Sequence, residues 1–393
     1  MGCHKIQNLY IAYLSSACIP SRTANSIHVM KMCQAMARAG HEVALLAPDK
    51  ADGRESGTDD PFAYYGVASN FTIEHLPWVR MKGRGYWYGW QAARRVRKSG
   101  FDLTYGRNLA ACSFASQMGM PVIYEAHSPV DDDGRLARYL FGRLIRSPSF
   151  RHLVVITEAL RYHFEQAWPE LKGRIVVAPD GADPLEGDVQ AVELGRSEER
   201  LQVGYTGHLY EGKGAELVVE LARVCPKYDF HLVGGTEEDL CHWREREDLP
   251  DNLRLHGHQP HGMLPSYLMA FDVVLLPNQL VVHAHGGSRD IGQWTSPLKL
   301  FEYMAAGRAI VCSDVPVLQE VAEDSVNMLV CRHDVVEDWA AALRKLEAEP
   351  ELRRSLGSMA RKQLERQYNW SDRALCVIGG DEYLLRATTE GHR

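Results

Sequence analysis

Short, almost wholly apolar runs alternate with longer segments of helical period along most of this 393-residue chain. Leu9 to Leu14, Glu42 to Leu46, Phe71 to Leu76, Asp102 to Tyr105, Pro121 to Glu125, His152 to Ile156 and Arg174 to Ala178 read as strands. Between most of them lie amphipathic stretches such as Ser26 to Arg38 and Asn108 to Gln117, ended by Gly40 and Gly119. A second series follows Leu201: Val203 to Tyr205, Phe230 to Val233, Leu253 to His256, Val273 to Leu276, Ala309 to Cys312 and Met328 to Cys331. Strand–helix alternation of this kind predicts α/β architecture with parallel, doubly wound sheets. Two series predict two Rossmann-like domains, residues 1–186 and 187–368, with the polar stretch Pro184 to Arg200 as linker and a helical tail, Trp370 to Leu385, within 369–393. Ligands of facing sheets of this type bind at the strand C-termini, in a cleft.

Two segments carry chemistry. In Ser296-Pro297-Leu298-Lys299-Leu300-Phe301-Glu302-Tyr303-Met304-Ala305-Ala306-Gly307, Ser296 is a good N-cap, Pro297 a good first helical residue and Gly307 a stop. Lys299 then falls in the first turn, where the helix dipole disfavours a cation. An anion held between Lys299 and the open N–H groups removes that conflict, and Glu302 lies one turn on along the same face. The alternative is an ordinary helix with a solvated lysine. In Gly204-Tyr205-Thr206-Gly207-His208-Leu209-Tyr210-Glu211-Gly212-Lys213-Gly214, Gly207 follows a strand and Lys213-Gly214 opens a helix. Lys213 is therefore either a second phosphate ligand or a solvated lysine at a helix start.

The first segment resembles the signature of retaining glycosyltransferases of the GT-B fold, in particular family four. The second is similar to that family's Gly-Arg-Leu-x-x-x-Lys-Gly segment. Ala178-Pro179-Asp180-Gly181-Ala182-Asp183 resembles its Pro-Asn-Gly-x-Asp turn, and Phe271-Asp272-Val273-Val274-Leu275-Leu276-Pro277 its strand before the donor loop. The resemblance implies transfer of a sugar from a nucleotide-diphosphate sugar of UDP or GDP type, with retention and with neither cofactor nor metal. Donor binding would fall to Gly207, His208, Lys213, His258, Asp290, Ser296, Pro297, Leu298, Lys299 and Glu302. Lys213 and Lys299 would bracket the phosphates, and Glu302 would contact the sugar or ribose. His127, in Tyr124-Glu125-Ala126-His127-Ser128-Pro129, matches a histidine near the transferred sugar and joins Lys213 and Glu302 as a catalytic candidate. It either touches a donor hydroxyl, positions the acceptor, or simply packs at a strand end. Acceptor-side candidates are Arg22, Asn25, Arg107 and Glu125; Asn25 or Ser26 alternatively caps the first helix, and Arg22 meets a phosphate or an acidic acceptor. The tail helix would cross back to the first domain.

Two departures from the pattern matter. His208 stands where the family has arginine, which brings a titration near neutrality to donor binding. Of two family glutamates seven residues apart, the second falls on Glu302 and the first on Trp294, which accepts no hydrogen bond. Asp290, after Gly286-Gly287, is the expected replacement or else a loop carboxylate in water. Metal readings exist for Asp131-Asp132-Asp133, for His256-x-His258-x-x-His261 and for His283-x-His285. An acidic helix start explains the first and a loop near the base the second.

Composition adds limits. A net charge of -7 excludes a chain built to hold nucleic acid, and nine cysteines without a C-x-x-C pair read as reduced cytosolic thiols. No apolar run reaches the ~20 residues of a membrane span, and Ile6 spoils a myristoylation reading of Met1-Gly2-Cys3. Arg80, Lys82, Arg84, Arg94, Arg95, Arg97 and Lys98 interleave with Tyr86, Trp87, Tyr88 and Trp90, and Arg135, Arg138, Arg143, Arg146 and Arg151 with Leu136, Tyr139 and Phe141. These are either solvated helix faces or peripheral contacts with anionic membrane, which would hold a cytoplasmic enzyme near a lipid-linked rather than a soluble saccharide acceptor. A GT-B sugar-nucleotide epimerase and a non-catalytic nucleotide-sugar-binding protein are the alternative functions.

Overall fold

A computed structural model describes residues 8–50, 53–55, 57–185, 187–195, 200–246, 249–282 and 290–379. Two compact units emerge: unit 1 comprises the chain up to Pro179 plus the segment from Trp370 on, and unit 2 is Asp180–Asn369.

Unit 1 contains β1 (Tyr10–Leu14), β2 (Glu42–Asp49), β3 (Thr72–Pro77), β4 (Leu103–Gly106), β5 (Val122–Ala126), β6 (Phe150–Val155) and β7 (Ile175–Val177). They form one parallel sheet in the order β3-β2-β1-β4-β5-β6-β7. The order reverses between β1 and β4, which makes their C-terminal ends the natural ligand position. Its helices are α1 (Ala24–Arg38), α2 (Pro61–Tyr65), α3 (Arg84–Lys98), α4 (Leu109–Gln117), α5 (Arg135–Ile145) and α6 (Glu158–Ala167). Both faces of the sheet are covered, so Ile11 to Leu14 and Val43 to Ala47 are buried throughout rather than alternating.

Unit 2 contains β8 (Gln202–Thr206), β9 (Asp229–Val233), β10 (Leu253–Gly257), β11 (Val273–Leu276), β12 (Ala309–Ser313) and β13 (Leu329–Cys331), in the order β10-β9-β8-β11-β12-β13. Around them lie α7 (Ala215–Val224), α8 (Glu237–Arg244), α9 (Leu264–Ala270), α10 (Leu298–Ala306), α11 (Val336–Ala348) and α12 (Pro350–Gln363). Reversal here falls between β8 and β11. Every expected strand is present, with ends shifted by a residue or a few.

α13 (Trp370–Gly379) returns to unit 1, as the tail helix was expected to do. The junction differs from the expected 186/187. Asp180 N–H donates to Ser296 Oγ at 3.0 Å, Ala182 bridges to Asn369, and Leu185 and Leu194 pack against the unit 2 core. The supposed linker is therefore the rim of unit 2, fastened by its own apolar side chains.

Candidate functional site

The glycine loop after β8 is held by close backbone approach. Gly212 (φ +86°) and Gly214 (φ +83°) flank Lys213, and a Cβ at either would strike backbone of the segment after β11, Val281 and Pro277 respectively. Gln279 N–H donates to Gly212 O at 3.0 Å, tying the two segments together. Lys213 is thus fixed one step ahead of α7.

Lys299 lies in the first turn of α10, the other element bordering the switch point. Its Nζ is 4.2 Å from the Tyr205 ring centroid and buried, with no hydrogen-bond partner among the described residues. Burial drives its pKa well below the ordinary lysine range; the Lys213 charge adds to that, and only Glu302 opposes it. Burial likewise lowers Lys213 to about 8. Two lysines lowered by burial, one of them sealed with its Nζ unbonded among the described residues and lowered further by the other's charge, are arranged for an anion.

Glu302 Oε1 accepts from His261 Nε2 at 2.7 Å. His261 belonged to the metal-like histidine run, but the fold separates that run's members. His256 instead meets His231 at 2.8 Å, while His258 sits half-buried on the loop past β10. His208 follows Gly207, and its carbonyl accepts the Tyr205 hydroxyl at 2.6 Å. Asp290 Oδ1 accepts from Val282 N–H at 3.0 Å and Gly292 N–H at 2.8 Å, so its first task is to close its own loop. His283, His285, Gly286 and Gly287 lie outside the described residues, as does Met1-Gly2-Cys3.

The helix start differs from expectation. Pro297 is the N-cap and Leu298 the first helical residue, with no side-chain cap. Ser296 does not cap because its oxygen is taken by Asp180 N–H, a tertiary partner that wins over the local one.

In unit 1, Glu125 on β5 is sealed. Its Oε1 accepts from His127 Nε2 at 2.5 Å and Arg373 Nη2 at 2.9 Å and lies 3.0 Å from His28 Nε2, and Oε2 accepts the Tyr105 hydroxyl. Burial would raise this carboxyl, yet Arg373, His28 and His127 hold it well below the usual range. With Nε2 donating, neutral His127 presents Nδ1 as an acceptor. Glu125, expected on the acceptor side, is fully buried and bonded to His127. Sequence reading missed His28, Tyr105 and Arg373, and Arg373 comes from α13, which gives no local signal of the contact.

Other expectations are corrected too. Arg22 is engaged by Glu55, and Thr23 caps α1 by accepting from Ser26 N–H at 3.3 Å, while Asn25 Oδ1 is buried without a partner. Asp131–Asp133 forms a single turn ahead of α5 in which Asp131 pairs with Arg138. The two basic faces also differ. On α5, Arg138 and Arg146 are matched by Asp131 and Glu170. On α3, Arg95 pairs with Glu74, but Arg94, Arg97 and Lys98 stand exposed beside exposed Trp87. Among the described residues, no helix is long and apolar enough to cross a membrane.

Comparison with known proteins agrees with this geometry. Residues 188–363 match the family described as Glycosyl transferases group 1, and residues 26–185 match Glycosyltransferase Family 4. A phosphatidyl-myo-inositol mannosyltransferase of Mycolicibacterium smegmatis is 23% identical over 363 residues, covering 88% of this chain and 86% of that one. Among solved structures, a sucrose-phosphate synthase of Thermosynechococcus elongatus has a TM-score of 0.72 at 17% identity, covering 97% of this chain and 100% of that one. HepE of Anabaena, in complex with UDP, has a TM-score of 0.69 at 14% identity, covering 94% and 99%.

Proposed function

The chain belongs to the family 4 glycosyltransferases of GT-B fold, and we propose that it moves a sugar from a nucleotide-diphosphate donor to a saccharide or lipid-linked acceptor, with retention and without a metal. The carrying observation is the lysine pair. A diphosphate seated against Lys213 and Lys299 supplies the counter-charge that the fold leaves out, and both cations stabilise the charge that develops on the leaving group. Glu302, oriented by His261, accepts from a hydroxyl of the ribose or the sugar, and His127, held by Glu125, is the catalytic candidate of unit 1. HepE has been solved with UDP and with UDP-glucose, which supports a nucleotide-sugar donor; the phosphatidyl-myo-inositol mannosyltransferase relative extends the candidates to mannose transfer and lipid acceptors. The cations and aromatics of α3 suit a peripheral contact with anionic lipid.

The test is release of nucleoside diphosphate from UDP- and GDP-sugars in the presence of candidate acceptors. Lys213→Ala and Lys299→Ala each lower turnover by about a hundredfold, roughly 2.7 kcal/mol. A chelator leaves the rate unchanged. Near-normal kinetics in both variants refutes the lysine assignment, and a strict need for manganese refutes metal independence.

A further inference from the structure

Unit 1 contains a second unmatched cation. Arg107 directly follows β4 at the reversal point of the sheet, and its N–H donates to Leu14 O at 3.1 Å, pinning it beside the end of β1. Arg107 Nη1 is buried without a hydrogen-bond partner among the described residues. The same holds for the hydroxyl of Tyr13, which is 0% exposed. Tyr13 pairs in register with Tyr105, the residue two before Arg107, and the Arg107 charge acts on the Tyr13 hydroxyl.

The nearby carboxylate offers no relief. Glu125 already accepts from Tyr105, His127 and Arg373, with His28 Nε2 3.0 Å away, and its charge is balanced by Arg373. Elsewhere in unit 1, arginines such as Arg22, Arg95, Arg138 and Arg146 have found carboxylates. Arg107 keeps a partly buried guanidinium group unpaired at the one edge of the sheet where doubly wound folds bind ligands.

We propose that unit 1 binds an acceptor bearing a phosphate ester, with Arg107 gripping two phosphate oxygens and the Tyr13 hydroxyl donating to a third. A guanidinium fork matches phosphate in this way, and a phosphate has the extra oxygen that a carboxylate lacks. The acceptor class rests on the transferase reading above; anion binding at Arg107 does not.

Calorimetry on the full chain, with UDP occupying the lysine pair, tests it with three probes: glucose 6-phosphate, water-soluble dibutanoyl phosphatidylglycerol, and glucose. At least one phosphate probe binds and glucose does not. The monoester tells of a sugar phosphate, the diester of a lipid headgroup. Arg107→Gln weakens that binding tenfold or more, Arg107→Lys retains part of it, Tyr13→Phe weakens it several-fold, and UDP affinity stays unchanged in all three. The proposal is overturned when UDP binds but neither phosphate probe exceeds glucose, or when Arg107→Gln binds them like wild type. Phosphate binding that depends on Arg107 in a protein that ignores UDP sinks the donor reading instead and leaves this site standing.

Discussion

Replacing Lys299 with methionine separates a cation kept for a ligand from one kept for stability. The side chain keeps its length and its packing over Tyr205, 4.2 Å from Nζ, and loses only the charge. The scale of the effect comes from Lys213, lowered from its ordinary 10.5 to about 8. At about 1.36 kcal/mol per unit that is roughly 3.4 kcal/mol against the folded cation, discounted to about 2 kcal/mol for partial exposure. Lys299 is the more deeply buried of the two ammonium groups and suffers the Lys213 charge as well. Removing its charge therefore stabilises the ligand-free protein and raises its Tm. The same variant loses most of the Tm increase that saturating UDP or GDP gives the wild type. Scanning calorimetry with and without nucleotide reads both quantities. A variant less stable than wild type, or one that keeps the full nucleotide-induced shift, refutes the argument that this lysine waits for an anion.

Three more outcomes are expected. Lys213 is charged in the folded chain below about pH 8, and between there and 10.5 the unfolded chain holds a proton that the folded one has lost. The ligand-free protein therefore gains stability as pH rises through that window, while its affinity for UDP or GDP declines, measurable by denaturant titration and calorimetry. Arg373→Met strips the guanidinium from buried Glu125 and destabilises unit 1 by about 3–5 kcal/mol, read as a lower urea midpoint; an unchanged midpoint contradicts the charge network described. Vesicle flotation shows salt-sensitive binding to anionic but not neutral lipid that is lost in Arg94→Glu/Arg97→Glu/Lys98→Glu, while Arg138→Glu/Arg146→Glu has little effect because those two arginines are already matched. Indifference to anionic vesicles at low salt makes α3 an ordinary solvated helix.

The central strands were legible because they are buried on both faces and so appear as uninterrupted apolar runs, Val273 to Leu276 being the plainest case. The glycine loops and the two lysines were legible for a related reason: positive φ and an ill-placed cation are local anomalies. What could not be read was anything decided by a distant partner. Ser296 looks like a cap until Asp180, 116 residues away, arrives. The clasp of Glu302 by His261 spans 41 residues, and that of Glu125 by Arg373 spans 248; neither partner differs locally from an ordinary surface residue. His261 did stand out, but through histidine spacing, which suggested a metal.

The return of α13 has a consequence for the order in which the chain is completed during synthesis. Unit 2 is continuous from Asp180 to Asn369 and can finish as soon as it has emerged, whereas unit 1 stays open until Trp370 and Arg373 have followed it. Until then His28 lacks the ring that meets it edge-on at 5.3 Å, and Glu125 is a buried carboxylate short of the guanidinium group that neutralises it. A nascent chain stalled before residue 370 thus carries a finished unit 2 and a unit 1 that proteases can still enter. The last helix works as a lock that only chains translated past it can close.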